Sequence, residues 1–226
     1  MSRRRASSTA TTPIGEVLLI GCEGAGKTLL CRHLTKMSTG DTSALKAVTQ
    51  PSIGVEIADL AHGKHSFTMR EVGGIMQPVW PEYYEACAAV VLMADGATTM
   101  GAAMATVELR DILSAPTLAE KRVLLLLNKQ DLSSALPEPS VGLLMGLPAI
   151  EAAAGDRLRV LRVSALHGAG LAEVLEWCVQ SCIAHRELSA RADAKDTRLD
   201  VSKRSKRRWG ILRAAVALSN AQKEKP

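Results

Sequence analysis

Residues Gly21-Cys22-Glu23-Gly24-Ala25-Gly26-Lys27-Thr28 follow directly on the apolar run Glu16-Val17-Leu18-Leu19-Ile20. Glycines at this spacing let successive backbone N–H groups curl around anionic oxygens, and a helix N-terminus adds a favourable dipole. The context is that of a phosphate-binding loop: a short strand, a Gly-rich turn, then the helical segment Leu29-Leu30-Cys31-Arg32-His33-Leu34. In such a loop the backbone of Gly21, Glu23, Gly24, Ala25 and Gly26 cradles phosphates. Lys27 reaches the β- and γ-phosphates, and the Thr28 hydroxyl ligates Mg²⁺. This chemistry binds a nucleotide.

The base is read further along. Val123 to Leu127 is a continuous apolar run, as expected of a strand buried on both faces, and it ends in Asn128-Lys129-Gln130-Asp131. A carboxylate placed like that of Asp131 accepts two hydrogen bonds from the ring N–H and exocyclic amine of guanine. Adenine offers no such donor pair, and a buried carboxylate left unpaired is costly, so the preference has a physical source. Lys129 can lay its alkyl stem along the purine face while Asn128 braces neighbouring loops. A third element, Ser164-Ala165-Leu166, follows the strand-like Leu158 to Val163. There the Ala165 backbone N–H is expected to meet the guanine carbonyl, which favours GTP over ATP.

With these residues the chain resembles the small GTPases of the Ras superfamily, and within them the Arf/Arf-like branch. Their signature is P-T-I-G, a strand hairpin, D-V-G-G-Q, a tryptophan and paired aromatics. The sequence has Pro51-Ser52-Ile53-Gly54, then Val55 to Leu60 and Lys64 to Arg70 about a His62-Gly63 turn. Glu71-Val72-Gly73-Gly74-Ile75, Trp80 and Tyr83-Tyr84 follow. The stretch Arg70 to Trp80 is similar to an R-E-L-G-G-C-M-x-P-x-W pattern found among Arf-like proteins. The resemblance covers roughly residues 14–187, with every motif in order.

Departures from the family pattern bear on chemistry. The glutamine that orients the attacking water in most Arf proteins is Ile75, which can neither donate to water nor accept from it. No residue is therefore assigned a catalytic role. The Asp that holds Mg²⁺ through a water is Glu71, one methylene longer, which shifts the second coordination shell of an ion that insists on octahedral geometry. Ser52 replaces the switch threonine and keeps its hydroxyl for Mg²⁺. Gly74 is retained, so its N–H is available to sense the γ-phosphate. Thr28, Ser52 and Glu71 make up the expected metal set. The binding apparatus is thus largely present and the hydrolytic one compromised.

Apolar strand-like runs alternating with helical segments must position these residues, which argues for an α/β fold. A P-loop G domain is expected, with a mostly parallel six-stranded sheet and helices on both faces. Strands are expected near 16–21, 53–60, 64–70, 88–95, 122–128 and 158–163. Helices are expected near 27–37, 98–114, 141–153 and 170–187. Residues 38–52 form a Thr/Ser-rich loop suited to a mobile switch. The hairpin is the antiparallel pair; by resemblance it is the interswitch, which slides on nucleotide exchange. With 3% aromatic residues the core must rest on Leu, Val and Ala.

Five cysteines without C-x-x-C spacing argue against a disulfide scaffold or zinc site and for a reducing compartment. Neither a signal peptide nor a membrane-length apolar run is present, so a cytoplasmic or peripherally attached protein is expected. With Ser2 at the second position and Lys223-Glu224-Lys225-Pro226 as the last residues, neither N-myristoylation nor prenylation is expected. Residues 1–13, with Arg3-Arg4-Arg5, read as a disordered basic N-terminus.

Charge is divided unevenly. Residues 13–187 carry 14 Lys/Arg against 19 Asp/Glu, net −5, while residues 188–226 carry 11 against 4, net +7. The basic run Lys203 to Arg208 precedes the apolar Trp209 to Leu218. Such a tail suits an anionic membrane surface. The same cluster suits a nuclear-import signal or an RNA contact, and it equally suits a solvated tail whose short helix docks on the domain. Nucleic acid is not an expected partner, and a monomer is expected.

Two functional classes follow. One is a GTP-dependent switch that rearranges 38–54 and 71–84 and recruits effector proteins in intracellular or ciliary traffic, as Arf-like relatives do. The other is a non-cycling scaffold that retains GTP and acts through its basic tail.

Overall fold

A computed structural model describes residues 12–50, 52 and 54–192. The expected disordered N-terminus up to residue 11 and the basic tail from 193 onward lie outside the described residues. The first unit spans Met1–His185. It is built on a six-stranded sheet of order β2-β3-β1-β4-β5-β6. The strands are β1 (Glu16–Ile20), β2 (Val55–His62), β3 (His65–Val72), β4 (Ala89–Asp95), β5 (Arg122–Asn128) and β6 (Leu158–Arg162). All neighbours run parallel except the edge hairpin β2–β3.

Alternation along the central strands explains the two-sided core. On β1, Val17 and Leu19 join one cluster and Leu18 and Ile20 the other; β4 and β5 divide in the same way. The first cluster is closed by α1 (Lys27–Thr39), through Leu30 and Leu34, and by a last helix, α5 (described over 171–192), through Leu171, Val174 and Cys178. The second is closed by α2 (Thr99–Ser114), α3 (Glu138–Met145) and Trp80. Strands buried on both faces need apolar side chains at every position, which is why these runs are continuous rather than alternating.

Two local features differ from the sequence reading. The helix expected over 141–153 is two helices, α3 and α4 (Leu147–Ala154), because Gly146 takes a left-handed φ of 65° and Pro148 restarts the next helix in its first turn. The stretch Gly74–Tyr83, left unassigned by the sequence, is a 3₁₀ segment interrupted at Met76 and carrying Pro78 and Pro81. Helix α5 starts at residue 171, as the helix expected near 170–187 does, and belongs to the first unit as far as His185. Of the second unit, Arg186–Pro226, residues 186–192 are described and are helical.

The hairpin is tied to the centre of the sheet by charge. Arg70 on β3 forks onto Glu16 of β1 at 2.6 and 2.7 Å, with its guanidinium 5.6 Å from the centre of the Tyr83 ring. A bidentate pair of this kind fixes direction as well as distance. Among the described residues no helix is long and apolar enough to cross a membrane.

Candidate functional site

The loop 21–26 leaves β1 and feeds α1, whose first residue is Lys27. The Lys27 ammonium is only 5% exposed and donates to the carbonyls of Gly21 at 2.7 Å and Cys22 at 3.0 Å. An ammonium has three donors, so one remains for an anion. Burial pushes its pKa down; the Glu71 carboxylate is the first of the neighbouring negative charges that oppose the shift. Residues Glu23, Gly24, Gly26, Lys27 and Thr28 line a cavity of about 390 Å³ together with Thr49, Gln50 and Ser52 on one side and Glu71, Gly74 and Ile75 on another.

On the floor of this cavity three oxygens converge. The Thr28 hydroxyl donates to Glu71 Oε1 at 2.6 Å and lies 2.8 Å from the Ser52 hydroxyl. Having spent its proton on the carboxylate, Thr28 must be the acceptor from Ser52. Ser52 Oγ in turn lies 3.5 Å from Glu71 Oε1. Glu71 is 1% exposed, and its second oxygen, Oε2, has no hydrogen-bond partner. Burial raises its pKa, against the Thr28 hydrogen bond and the Lys27 charge. Two hydroxyls and a half-satisfied buried carboxylate form a hard, all-oxygen donor set, which fits Mg²⁺. Among the described residues no cluster of three His, Cys, Asp or Glu could hold a metal alone. A cation here would therefore need phosphate oxygens to complete its shell.

Gly74 meets the phosphate loop back to back: a Cβ on it would collide with the backbone N of Glu23. Its predecessor Gly73 donates to the Gly54 carbonyl at 3.0 Å and accepts from the Trp80 indole at 3.3 Å. This joins the loop before β2 to the 3₁₀ segment. Ile75 sits at the cavity with 68% of its surface exposed. An apolar side chain so placed cannot orient a water.

The residues expected to read the base meet at the ends of β5 and β6. Asn128 donates to the Ala25 carbonyl at 2.8 Å and accepts from Ala165 N at 2.9 Å, so it clamps the phosphate loop to the 164–168 loop. The Ala165 N–H, expected to face the guanine carbonyl, is thus held by Asn128, since a buried amide must be paired. Ser164 donates to Asp131 Oδ1 at 2.6 Å and accepts from His167 N at 3.0 Å. That leaves Asp131 Oδ2 and the remaining lone pairs for ring donors. Lys129, at a left-handed φ of 66°, pairs with Asp95 at 2.8 Å, which directs its stem.

Two contributors escaped sequence reasoning. His33 on α1 bonds the Ala165 carbonyl through Nδ1 at 2.9 Å. Glu108 on α2, 4% exposed, accepts from the Cys22 thiol at 3.0 Å beneath the phosphate loop. Burial, then the Glu108 hydrogen bond, pushes the Cys22 thiol up to about 12, so it stays protonated and inert. Neither pair carries a local sequence signal: their partners lie 132 and 86 residues apart.

A phosphate-type loop at the head of a mostly parallel six-stranded sheet, with the Asn128–Asp131 and Ser164–Leu166 segments at neighbouring strand ends, is the arrangement of a small-GTPase fold. Residues 7–182 match the ADP-ribosylation factor family, and the chain belongs to that family. It is 36% identical over 166 residues to human ADP-ribosylation factor-like protein 16, an alignment covering 72% of this chain and 84% of that protein. To ADP-ribosylation factor-like protein 2 of Arabidopsis thaliana it is 28% identical over 73% of the chain and 85% of the relative. Among solved structures, the Arl6 (BBS3) small GTPase of Trypanosoma brucei, determined with the nucleotide analogue GppNp, superposes with a TM-score of 0.60. That match has 18% identity and covers 75% of this chain and 98% of the other, a likeness of fold.

Proposed function

We propose that this protein binds GTP and GDP with Mg²⁺ and acts as a nucleotide-controlled switch that hydrolyses GTP slowly and recruits effector proteins through 38–54 and 71–84. The observation that carries this reading is one cavity lined jointly by the phosphate loop, by Thr49, Gln50 and Ser52, and by Glu71, Gly74 and Ile75. A γ-phosphate bound there touches all three segments at once, so its loss releases two of them together. Asn128 and Asp131, clamped by Ala165 and Ser164, support guanine as the base. Intracellular or ciliary traffic, at a cytoplasmic or peripheral membrane location, is the setting the Arf-like resemblance supports.

Ile75 favours a second reading, in which GTP is retained as a structural ligand and the basic tail makes the partner contact. A filter-bound measurement of labelled GTP followed over hours separates the two. Exchange with turnover supports the switch, and indefinite retention supports the scaffold. Equal competition by ATP would overturn both.

A further inference from the structure

We infer that Glu71 contacts the bound divalent cation directly, taking a coordination position that a shorter aspartate leaves to water. The proposal rests on the Mg²⁺–nucleotide reading above and names the inner-shell ligand at that site. Thr28 Oγ1, Ser52 Oγ and Glu71 Oε1 stand 2.8, 2.6 and 3.5 Å apart. Neighbouring ligands of an octahedral ion with bonds of 2.0–2.1 Å are separated by about 2.9 Å, so the three oxygens already approximate one face of such an octahedron. The extra methylene of glutamate, about 1.5 Å of reach, is what carries a carboxylate from β3 into that face.

Energetics point the same way. Oε1 is taken by Thr28, and Oε2 is buried without a partner. A carboxylate oxygen in that position carries the full cost of desolvation unless a cation or donor meets it. The groups around it are the buried Lys27, whose ammonium is occupied by two loop carbonyls, and the half-buried Cys31, whose weak S–H is shared between the Met69 sulfur and the carboxylate. A divalent ion held against the two hydroxyls and one carboxylate oxygen neutralises the buried charge of the whole group.

The test counts water on the metal. The full chain is loaded with Mn²⁺ in place of Mg²⁺ and a non-hydrolysable GTP analogue. The Mn²⁺ resonance is then recorded in ¹⁷O-enriched water, whose broadening scales with the number of bound waters. Thr28, Ser52, Glu71 and two phosphate oxygens leave one of six positions for water; Glu71→Asp should leave two. One water in the wild type and two in the variant is the expected result. Two in both overturns the proposal while leaving nucleotide binding intact. The wild-type count decides alone if the variant does not fold. Failure of the wild type to retain Mn²⁺ and analogue would sink the nucleotide reading, and this proposal with it.

Discussion

The Nδ1 of His33 lies 2.9 Å from the carbonyl oxygen of Ala165. A carbonyl only accepts, so the ring proton is on Nδ1. Helix α1, which begins at the phosphate loop, thereby also holds the loop expected to read the base. Replacing His33 with Ala should speed GDP dissociation about fivefold, the kinetic equivalent of losing one hydrogen bond worth ~1 kcal/mol. Stopped-flow release of a fluorescent guanine nucleotide measures it, and an unchanged rate would refute the latch.

Asp131 should set base identity. In Asp131→Asn the amide presents donors where the carboxylate accepted, so preference should move from guanine to xanthine. Competition of labelled GTP by XTP, and the converse, reads the exchange directly. The Ser164 hydroxyl bonded to Asp131 can rotate to donate to either residue's oxygen, so folding should survive the change.

Hydrolysis should be slow. With Ile75 at the water-orienting position, single-turnover cleavage without a partner should run at or below ~10⁻⁴ s⁻¹. Ile75→Ala should change this little, since no polar function is lost, whereas Ile75→Gln should raise it about tenfold. If Glu71→Ala abolished a readily measured rate while sparing Mg²⁺·GTP affinity, the assignment of water activation would move to Glu71.

Glu108 should make stability depend on pH with an unusual sign. Burial raises its pKa above the ordinary 4.5, against the Cys22 hydrogen bond and the Lys27 charge. A carboxyl raised on folding stabilises most when protonated, so its contribution is full below pH 4.5 and is lost as pH climbs through the raised value. Glu108→Gln should therefore lift the melting temperature by a few degrees at pH 7, at fixed excess GDP, and flatten the decline above pH 4.5. A melting temperature lowered equally across that range would show that the carboxylate is needed as an ion.

Removing residues 193–226 should leave guanine-nucleotide affinity within a few-fold and redistribute the protein in cells. The motive is the separation of charge, since the phosphate- and base-reading residues all precede a tail of net positive charge. Equilibrium binding together with imaging of both forms tests it. A truncated chain that retains its distribution would place the address elsewhere.

What the sequence disclosed and what it withheld divide along one line. Strands such as Val123–Leu127 were legible because burial on both faces demands unbroken apolar runs, and the phosphate loop because its glycines stand next to the strand they follow. Gly146 and Pro148 carried the signal that splits α3 from α4, but the apolar periodicity outweighed it. The Gly74–Tyr83 segment has neither period, and its two prolines read as plain loop. Glu108 sits at an apolar helical position whose justification is a thiol on another element, and the engagement of the Ala165 amide by Asn128 depends on packing. Pairings made across the fold leave no trace in local spacing.

The register of β3 against β1 gives the position of Glu71 a mechanical meaning. Leu19 stands opposite Glu71 in that ladder, and Val55 to His62 pair with the same strand on its other side. A slip of two residues would keep every side chain on its own face of the sheet, so the cores would lose little. It would carry the Glu71 carboxylate roughly 7 Å along the strand, well out of reach of the Thr28 hydroxyl. Translation of the hairpin would then release a cation held there in the same movement: the strand would work as a rack, with the carboxylate as the tooth that reports where it has stopped.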